Sequence, residues 1–76
     1  MTNWNSKQIL ILGAARQGLA LARYLTKHGA KVTLNDIRMP HELKDEQAAL
    51  QDIDVEWMLG AHFSSLLNDK DLVCLS

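Results

Sequence analysis

Apolar residues fall along the chain in short runs, and between the runs the apolar positions open out to helical intervals. Ile9 to Leu12 is continuously apolar behind Gln8, the pattern of a parallel strand covered on both faces, which predicts a central strand over Gln8 to Leu12. Gly13 interrupts it. From about Gln17 to His28, Gly18, Leu21, Ala22 and Leu25 recur at i, i+3, i+4 and i+7, so one helical face is apolar while Arg23 and Lys27 fall elsewhere. Gly18 would let that helix lie close to the strand. Lys27 and His28 suit the negative end of the helix dipole, and Gly29 is placed for the left-handed residue that stops the helix. Lys31 to Asn35 then reads as a second strand, delivering Asp36 at its carboxyl end.

The second half is less sharply patterned. Pro40 can open a helix from His41 to about Asp52, in which Leu43, Gln47 and Leu50 form a thin stripe and Glu42, Lys44, Asp45 and Glu46 lie mostly outward. From Ile53 to Leu59, Val55, Trp57 and Leu59 alternate with Glu56 and Met58, which predicts a strand near a sheet edge, ended by Gly60. A short helical turn at about Phe63 to Leu67 precedes a last apolar strand, Asp71 to Leu75. The order β-α-β-α-β-(short α)-β, with right-handed crossovers, predicts an α/β fold: a Rossmann-like, doubly wound parallel sheet in three αβα layers. No helix follows the last strand, so the fold is expected to be truncated at its C-terminal end, the N-terminal part of a longer protein. Trp4 is expected to close over one end of the core, and Cys74 to be a buried, inert thiol.

Composition narrows the classes of function. With 76 residues, 47% of them hydrophobic, the chain makes at most one domain with a marginal core. Eight basic and nine acidic residues leave a net charge of −1, and the basic ones are scattered, which argues against a nucleic-acid partner. No apolar run approaches the roughly 20 residues that span a bilayer, and no leader pattern opens the chain, so a cytoplasmic protein without a membrane partner is expected. A single cysteine rules out an intramolecular disulfide. His28, His41 and His62 lack metal-ligand spacing and read as helix-end or loop residues, so no metal site is expected. Neither a Ser-His-Asp order, nor paired carboxylates in an apolar setting, nor a G-x-x-x-x-G-K-[ST] loop is present, so no catalytic residue is expected in this chain.

What chemistry the sequence offers lies between the first strand and the first helix. Gly13-Ala14-Ala15-Arg16-Gln17-Gly18 reads G-x-A-x-x-G and opens a helix whose unpaired N–H groups and positive dipole end suit a phosphate. Ala15 stands where the full dinucleotide fingerprint has its second glycine, and its Cβ would crowd a pyrophosphate. A turn that needs glycine for geometry alone is the alternative. Asp36 sits where an acidic residue can hydrogen-bond a ribose hydroxyl, or serves as an N-cap or turn former. Arg38 can reach a phosphate or stack on a base, or remains solvated.

Four segments in order carry a resemblance: Ile9 to Ala20, Gly29 to Arg38, Leu59-Gly60-Ala61-His62, and Asp71 to Ser76. Through them the sequence resembles the N-terminal domain of the Mur ligases, most closely the MurD family, the UDP-N-acetylmuramoyl-L-alanine:D-glutamate ligases of peptidoglycan synthesis. The resemblance implies that residues 1–76 form a domain holding the UDP moiety of UDP-N-acetylmuramoyl-L-alanine, as one part of a longer three-domain ligase. By position, the backbone at Arg16 and Gln17 would meet the pyrophosphate, within a turn made by Gly13, Ala14, Ala15 and Gly18. Asp36, Ile37 and Arg38 would surround the uridine, with Gly60 beside the uracil. Family members commonly have glycine where Ala15 stands and a small hydroxyl residue where Gln17 stands. For the full-length protein the resemblance implies ATP-dependent amide-bond formation with D-glutamate in cytoplasmic peptidoglycan precursor synthesis. ATP, Mg²⁺ and a carbamylated lysine would belong to other domains, so this fragment would bind no cofactor and catalyse nothing. Ser76 matches the serine of the family's Ser-Pro-Gly turn. Two other readings stay open: the NAD(P)-binding half of a dehydrogenase or a nucleotide-sensing module, with Asp36 on the adenosine ribose, and a Rossmann-like domain that binds nothing.

Overall fold

In the computed structural model, which describes residues 3–76, the first apolar run takes the middle of the sheet. Strand β1 (Gln8–Leu12) is flanked by β2 (Lys31–Asp36) and β4 (Leu72–Leu75), and β3 (Val55–Leu59) lies outside β2, giving the order β3-β2-β1-β4 with every pair parallel. Leu10 pairs with Thr33 on one side and Val73 on the other, and Leu12 with Asn35 and Leu75. A strand hydrogen-bonded on both edges and covered on both faces can carry no polar side chain cheaply, and Ile9, Leu10 and Ile11 are wholly buried. The sheet is Rossmann-like. Successive strands step outward from β1 to β3, then β4 returns to the other side of β1, so the order reverses at the end of β1, where α/β folds place their ligands.

Helix α1 (Arg16–Lys27) begins one residue before the expected Gln17 and presses Ala22 and Leu25 onto Ile9, Ile11, Val32 and Leu34. Its end follows from Gly29, whose φ of +89° an L side chain rarely adopts. The N–H of Gly29 donates to Thr26 O and that of Ala30 to Leu25 O, the paired bonds of a Schellman stop. Trp4 packs against this core as expected.

The second helix is shorter than the pattern predicts. In place of one helix from His41 to Asp52, a 3₁₀ turn (Pro40–Glu42) leads through Leu43, at φ −121° and ψ 29°, into α2 (Lys44–Ala49). The thin stripe explains the break: only Leu43 and Leu50 are buried in this segment, too little apolar surface to hold a continuous helix against the sheet. The side chain of Gln47, which should have lain in that stripe, donates instead to the carbonyls of Pro40 and Leu43. Arg23 on α1 closes the other end, donating to Ala49 O at 2.7 Å and to both carboxylate oxygens of Asp52 at 2.7 and 2.9 Å. This fork is exposed, so Arg23→Ala is expected to change global stability little. Amide hydrogen exchange should instead quicken at Leu50, Gln51 and Ile53, whose N–H groups close the last turn; unchanged exchange there would show that the fork does not hold it.

The crossover from β3 to β4 carries a 3₁₀ turn (Ser64–Leu67) on the second face of the sheet. That layer is thin. At the β4 edge Leu72, Val73 and Leu75 are exposed. Cys74, expected to be buried, is only half-buried against the α1 side because its strand has no neighbour on one edge.

Candidate functional site

The turn after β1 is folded onto the end of β2 by two backbone donors. Gly13, at φ +104°, gives its N–H to Asn35 O at 2.7 Å, and Ala14 gives its N–H to Asp36 Oδ2 at 2.8 Å. Asp36 is 6% exposed, and each of its oxygens accepts twice. Oδ1 takes the N–H of Arg38 at 2.9 Å, an Asx-turn bond, and Arg38 Nε at 3.0 Å; Oδ2 takes Ala14 N–H and Arg38 Nη2 at 2.9 Å. Hydrogen bonds from the Arg38 side chain hold the Asp36 carboxyl well below the usual carboxylate range, against burial, which raises it, and with help from the N–H groups of Ala14 and Arg38. The carboxylate therefore ties the turn after β1 to the loop after β2, and its lone pairs are committed.

What this arrangement leaves free is the start of α1. The N-cap residue Ala15 offers no side-chain acceptor, and the first helical turn holds no acidic residue. The N–H groups of Ala15, Arg16, Gln17 and Gly18 meet no protein acceptor among the described residues. A helix N-terminus in this state favours an anion. Gly18 is buried, and a Cβ there would lie 2.5 Å from Gly13 O and from Ser76 Oγ. This closeness is the helix–strand approach expected of it. Ser76 closes the turn from the β4 side, donating its N–H to Leu12 O at 3.1 Å and its hydroxyl to Gly13 O.

Two grooves flank the turn. On the α1 side, about 340 Å³ is bounded by Ala14, Ala15, Arg16 and Arg38 with Asp45 and Glu46 of α2. On the second face of the sheet a larger groove of about 570 Å³ runs past Gly13, Asp36 and Ile37 to His62 and Phe63. Gly60 belongs to the same assembly through its backbone: at φ +95° its N–H meets Asp36 O and Arg38 O, each at 3.0 Å. The structure thus brings Gly13, Ala14, Asp36, Arg38 and Gly60 into one hydrogen-bonded unit, with Ala15, Arg16 and Ile37 on the groove walls. Gln17 is exposed in the first turn of α1 and lines neither groove, while Gly18 faces inward.

One pair escapes sequence reasoning. Asn35 is fully buried and joins Met58 O, Ala61 O and His62 Nδ1. A polar residue inside an apolar strand, one position before Asp36, was the available signal, but its histidine partner lies 27 residues away. Among the described residues no group of three or more His, Cys, Asp or Glu side chains could hold a metal ion, and no helix is long and apolar enough to cross a membrane.

Comparison with known proteins adds to this geometry. The family described as Mur ligase MurD-like, N-terminal domain, matches residues 7–76. The UDP-N-acetylmuramoylalanine--D-glutamate ligase of Geotalea daltonii is 41% identical over 70 residues, 92% of this chain and 16% of that ligase. The ligase of the same name from Exiguobacterium sibiricum is 43% identical over 67 residues, 88% of this chain and 14% of its own length. That from Syntrophotalea carbinolica is 38% identical over 76 residues, 100% of this chain and 17% of its own. The chain thus spans 14% to 17% of these curated relatives. Among solved structures, the bacillithiol disulfide reductase Bdr of Bacillus cereus superposes with a TM-score of 0.59 at 21% identity, over 78% of this chain and 20% of the reductase, a likeness of fold alone.

Proposed function

Because the chain belongs to the MurD-like N-terminal domain family of the Mur ligases, we propose that it holds the UDP moiety of UDP-N-acetylmuramoyl-L-alanine within a ligase that adds D-glutamate to it. The observation that carries this reading is the uncapped N-terminus of α1, with no acidic residue in its first turn, pinned by Gly13 and Gly18 at the switch point of the sheet. The N–H groups of Arg16 and Gln17 donate to the diphosphate, where the helix dipole favours its charge. Ala15 has an extended backbone, φ −85° and ψ 173°, so the turn itself does not require glycine at this position.

Asp36 acts by holding the turn and the Arg38 guanidinium in place, because its lone pairs are taken. The uridine lies beside residues 36–38, with Gly60 drawing that loop together. The chain's own residues bind and orient; they move no proton and form no bond in the ligation. On this reading the steps that need ATP and Mg²⁺ belong to other domains of a longer cytoplasmic ligase, as the family resemblance implies. There ATP would phosphorylate the substrate carboxyl and the amine of D-glutamate would attack the acyl phosphate.

Titrating isotope-labelled protein with UDP-N-acetylmuramoyl-L-alanine, UDP and NADH tests this reading. The amides of Arg16, Gln17 and Gly60 are expected to shift with both UDP ligands and not with NADH. A response to NADH alone would favour a dinucleotide site and overturn it.

A further inference from the structure

Strand β3 forms one outer edge of the sheet, and the hydrogen bonds beside it fix which of its backbone groups are free. Along a strand in a parallel ladder, the N–H and C=O of one residue point to one side and those of the next residue to the other. The N–H of Gly60, just past β3, meets Asp36 O at the end of β2 at 3.0 Å. Counting back by twos, Met58 and Glu56 also turn their backbone groups towards β2, and Met58 O, which accepts from Asn35 Nδ2 at 2.7 Å, agrees. Val55, Trp57 and Leu59 therefore turn theirs outward, where they meet no backbone partner among the described residues.

The side chains at this edge give it a charge. Asp54 and Glu56 are exposed, and neither forms an ion pair among the described residues. Val55 and Trp57 pack towards α1, so Glu56, between them, stands on the opposite face. There a groove of about 560 Å³ is bounded by Asp54, Glu56, Lys31, Thr33 and Thr26. Two carboxylates against one ammonium leave it negative, and the Oγ1 of Thr26 is buried without a hydrogen-bond partner among the described residues. Charged residues on an edge strand keep a sheet from pairing with copies of itself. A second copy would bring another Asp54 and Glu56 to the same ladder, and like charges across a ladder destabilise it. A segment of opposite charge is attracted by the same two residues.

We propose that the β3 edge receives an extended, basic segment of a partner protein as an added strand. The main chain of that segment pairs with Val55, Trp57 and Leu59, and a lysine or arginine on the face of Glu56 enters the 560 Å³ groove, where Asp54 and Glu56 supply its counter-charge. In this mode of recognition the main-chain hydrogen bonds give affinity and the side-chain pockets give selectivity. The surface is independent of the UDP reading, since none of Asp54, Val55, Glu56, Trp57 and Leu59 lines either groove beside the glycine turn.

Amide shifts and hydrogen exchange in the labelled protein test it, with two capped hexapeptides as probes, one alternating lysine with valine and the other glutamate with valine. Without peptide, the amides of Val55, Trp57 and Leu59 should exchange faster than those of Glu56 and Met58, which bond to β2. The lysine peptide is expected to shift and protect the three outward amides, and the glutamate peptide to leave them unchanged. Removing both charges with Asp54→Asn and Glu56→Gln should weaken the lysine peptide about three- to tenfold, the value of two exposed ion pairs. Reversing the charge of the peptide probes the unaltered protein, so the result does not depend on how the variant folds. The proposal is overturned if the lysine peptide leaves the outward amides unprotected, whether or not it shifts Asp54 and Glu56, or if both peptides bind equally well. Protection of those amides that grows with protein concentration in the absence of peptide would assign the edge to a second copy and overturn it too.

Discussion

Gly18→Ala is expected to destabilise the protein by about 1–3 kcal/mol, the usual cost of forcing extra volume into a packed site, and to weaken UDP binding with it. Helix propensity alone predicts the opposite sign, since alanine is favoured over glycine in a helix by about 1 kcal/mol. The neighbours decide between the two. A Cβ at position 18 would lie 2.5 Å from Gly13 O, 2.5 Å from Ser76 Oγ and 2.9 Å from Ser76 Cβ. Ser76 can turn aside, but Gly13 O is backbone in a turn held by the N–H bonds of Gly13 and Ala14. Relief must therefore come from α1 lifting off the sheet, which carries the N–H groups of Arg16 and Gln17 away from where a diphosphate would sit. Urea unfolding followed by circular dichroism checks the stability, and UDP titration checks the binding. A midpoint equal to or above that of the unmodified protein would show that the helix does not approach so closely.

Asp36→Asn is expected to cost about 2–3 kcal/mol, because an amide cannot replace a carboxylate that accepts four N–H donors. Whichever way the new side chain turns, its NH₂ faces either the Ala14 N–H and Arg38 Nη2 or the Arg38 N–H and Nε, and those donors lose their acceptor. For a domain of this size that is a large part of the total stability. The pH dependence should change in a defined direction. Asp36 in the folded chain holds its proton far less tightly than an unfolded aspartate, which titrates near about pH 3.9. Its contribution is thus complete above that value and drains away as pH falls through the lower folded-state value. Stability measured by urea unfolding from pH 7 to pH 2 should drop below about pH 4 in the unmodified protein, and the Asp36→Asn variant should lack that part of the slope. Equal slopes would mean that the carboxylate is not held as the structure places it.

Where the local pattern and the tertiary packing ask for the same thing, the sequence can be read directly. β1 has to be central because a run such as Ile9–Leu10–Ile11 has no tolerable solvent face, and α1 has to stop at Gly29 because the reversal needs a positive φ. The length of the second helix is not legible in this way. Leu43 and Leu50, seven positions apart, fit a helical stripe, but whether the residues between them gain enough from burial depends on the surface beneath, which periodicity does not contain. In the candidate site, the turn at residues 13–18 and the acidic residue ending β2 are visible as separate signals. Their connection is not.

The sequence by itself determined the order of elements, the parallel sheet with β1 inside, the glycine-bounded turn and the family resemblance, because these follow from side-chain polarity at short spacing and from backbone angles only glycine takes readily. The tertiary structure alone decided how the polar groups are spent. Asp36 could have faced a ribose, yet the fold places Ala14, 22 residues before it, and Arg38, two after it, on the same carboxylate. His62 reads as a loop residue until the fold sets Asn35 beneath it. A hydrogen bond between residues far apart in sequence leaves no periodic trace, so which donors and acceptors remain for a ligand can be counted only once the chain is folded.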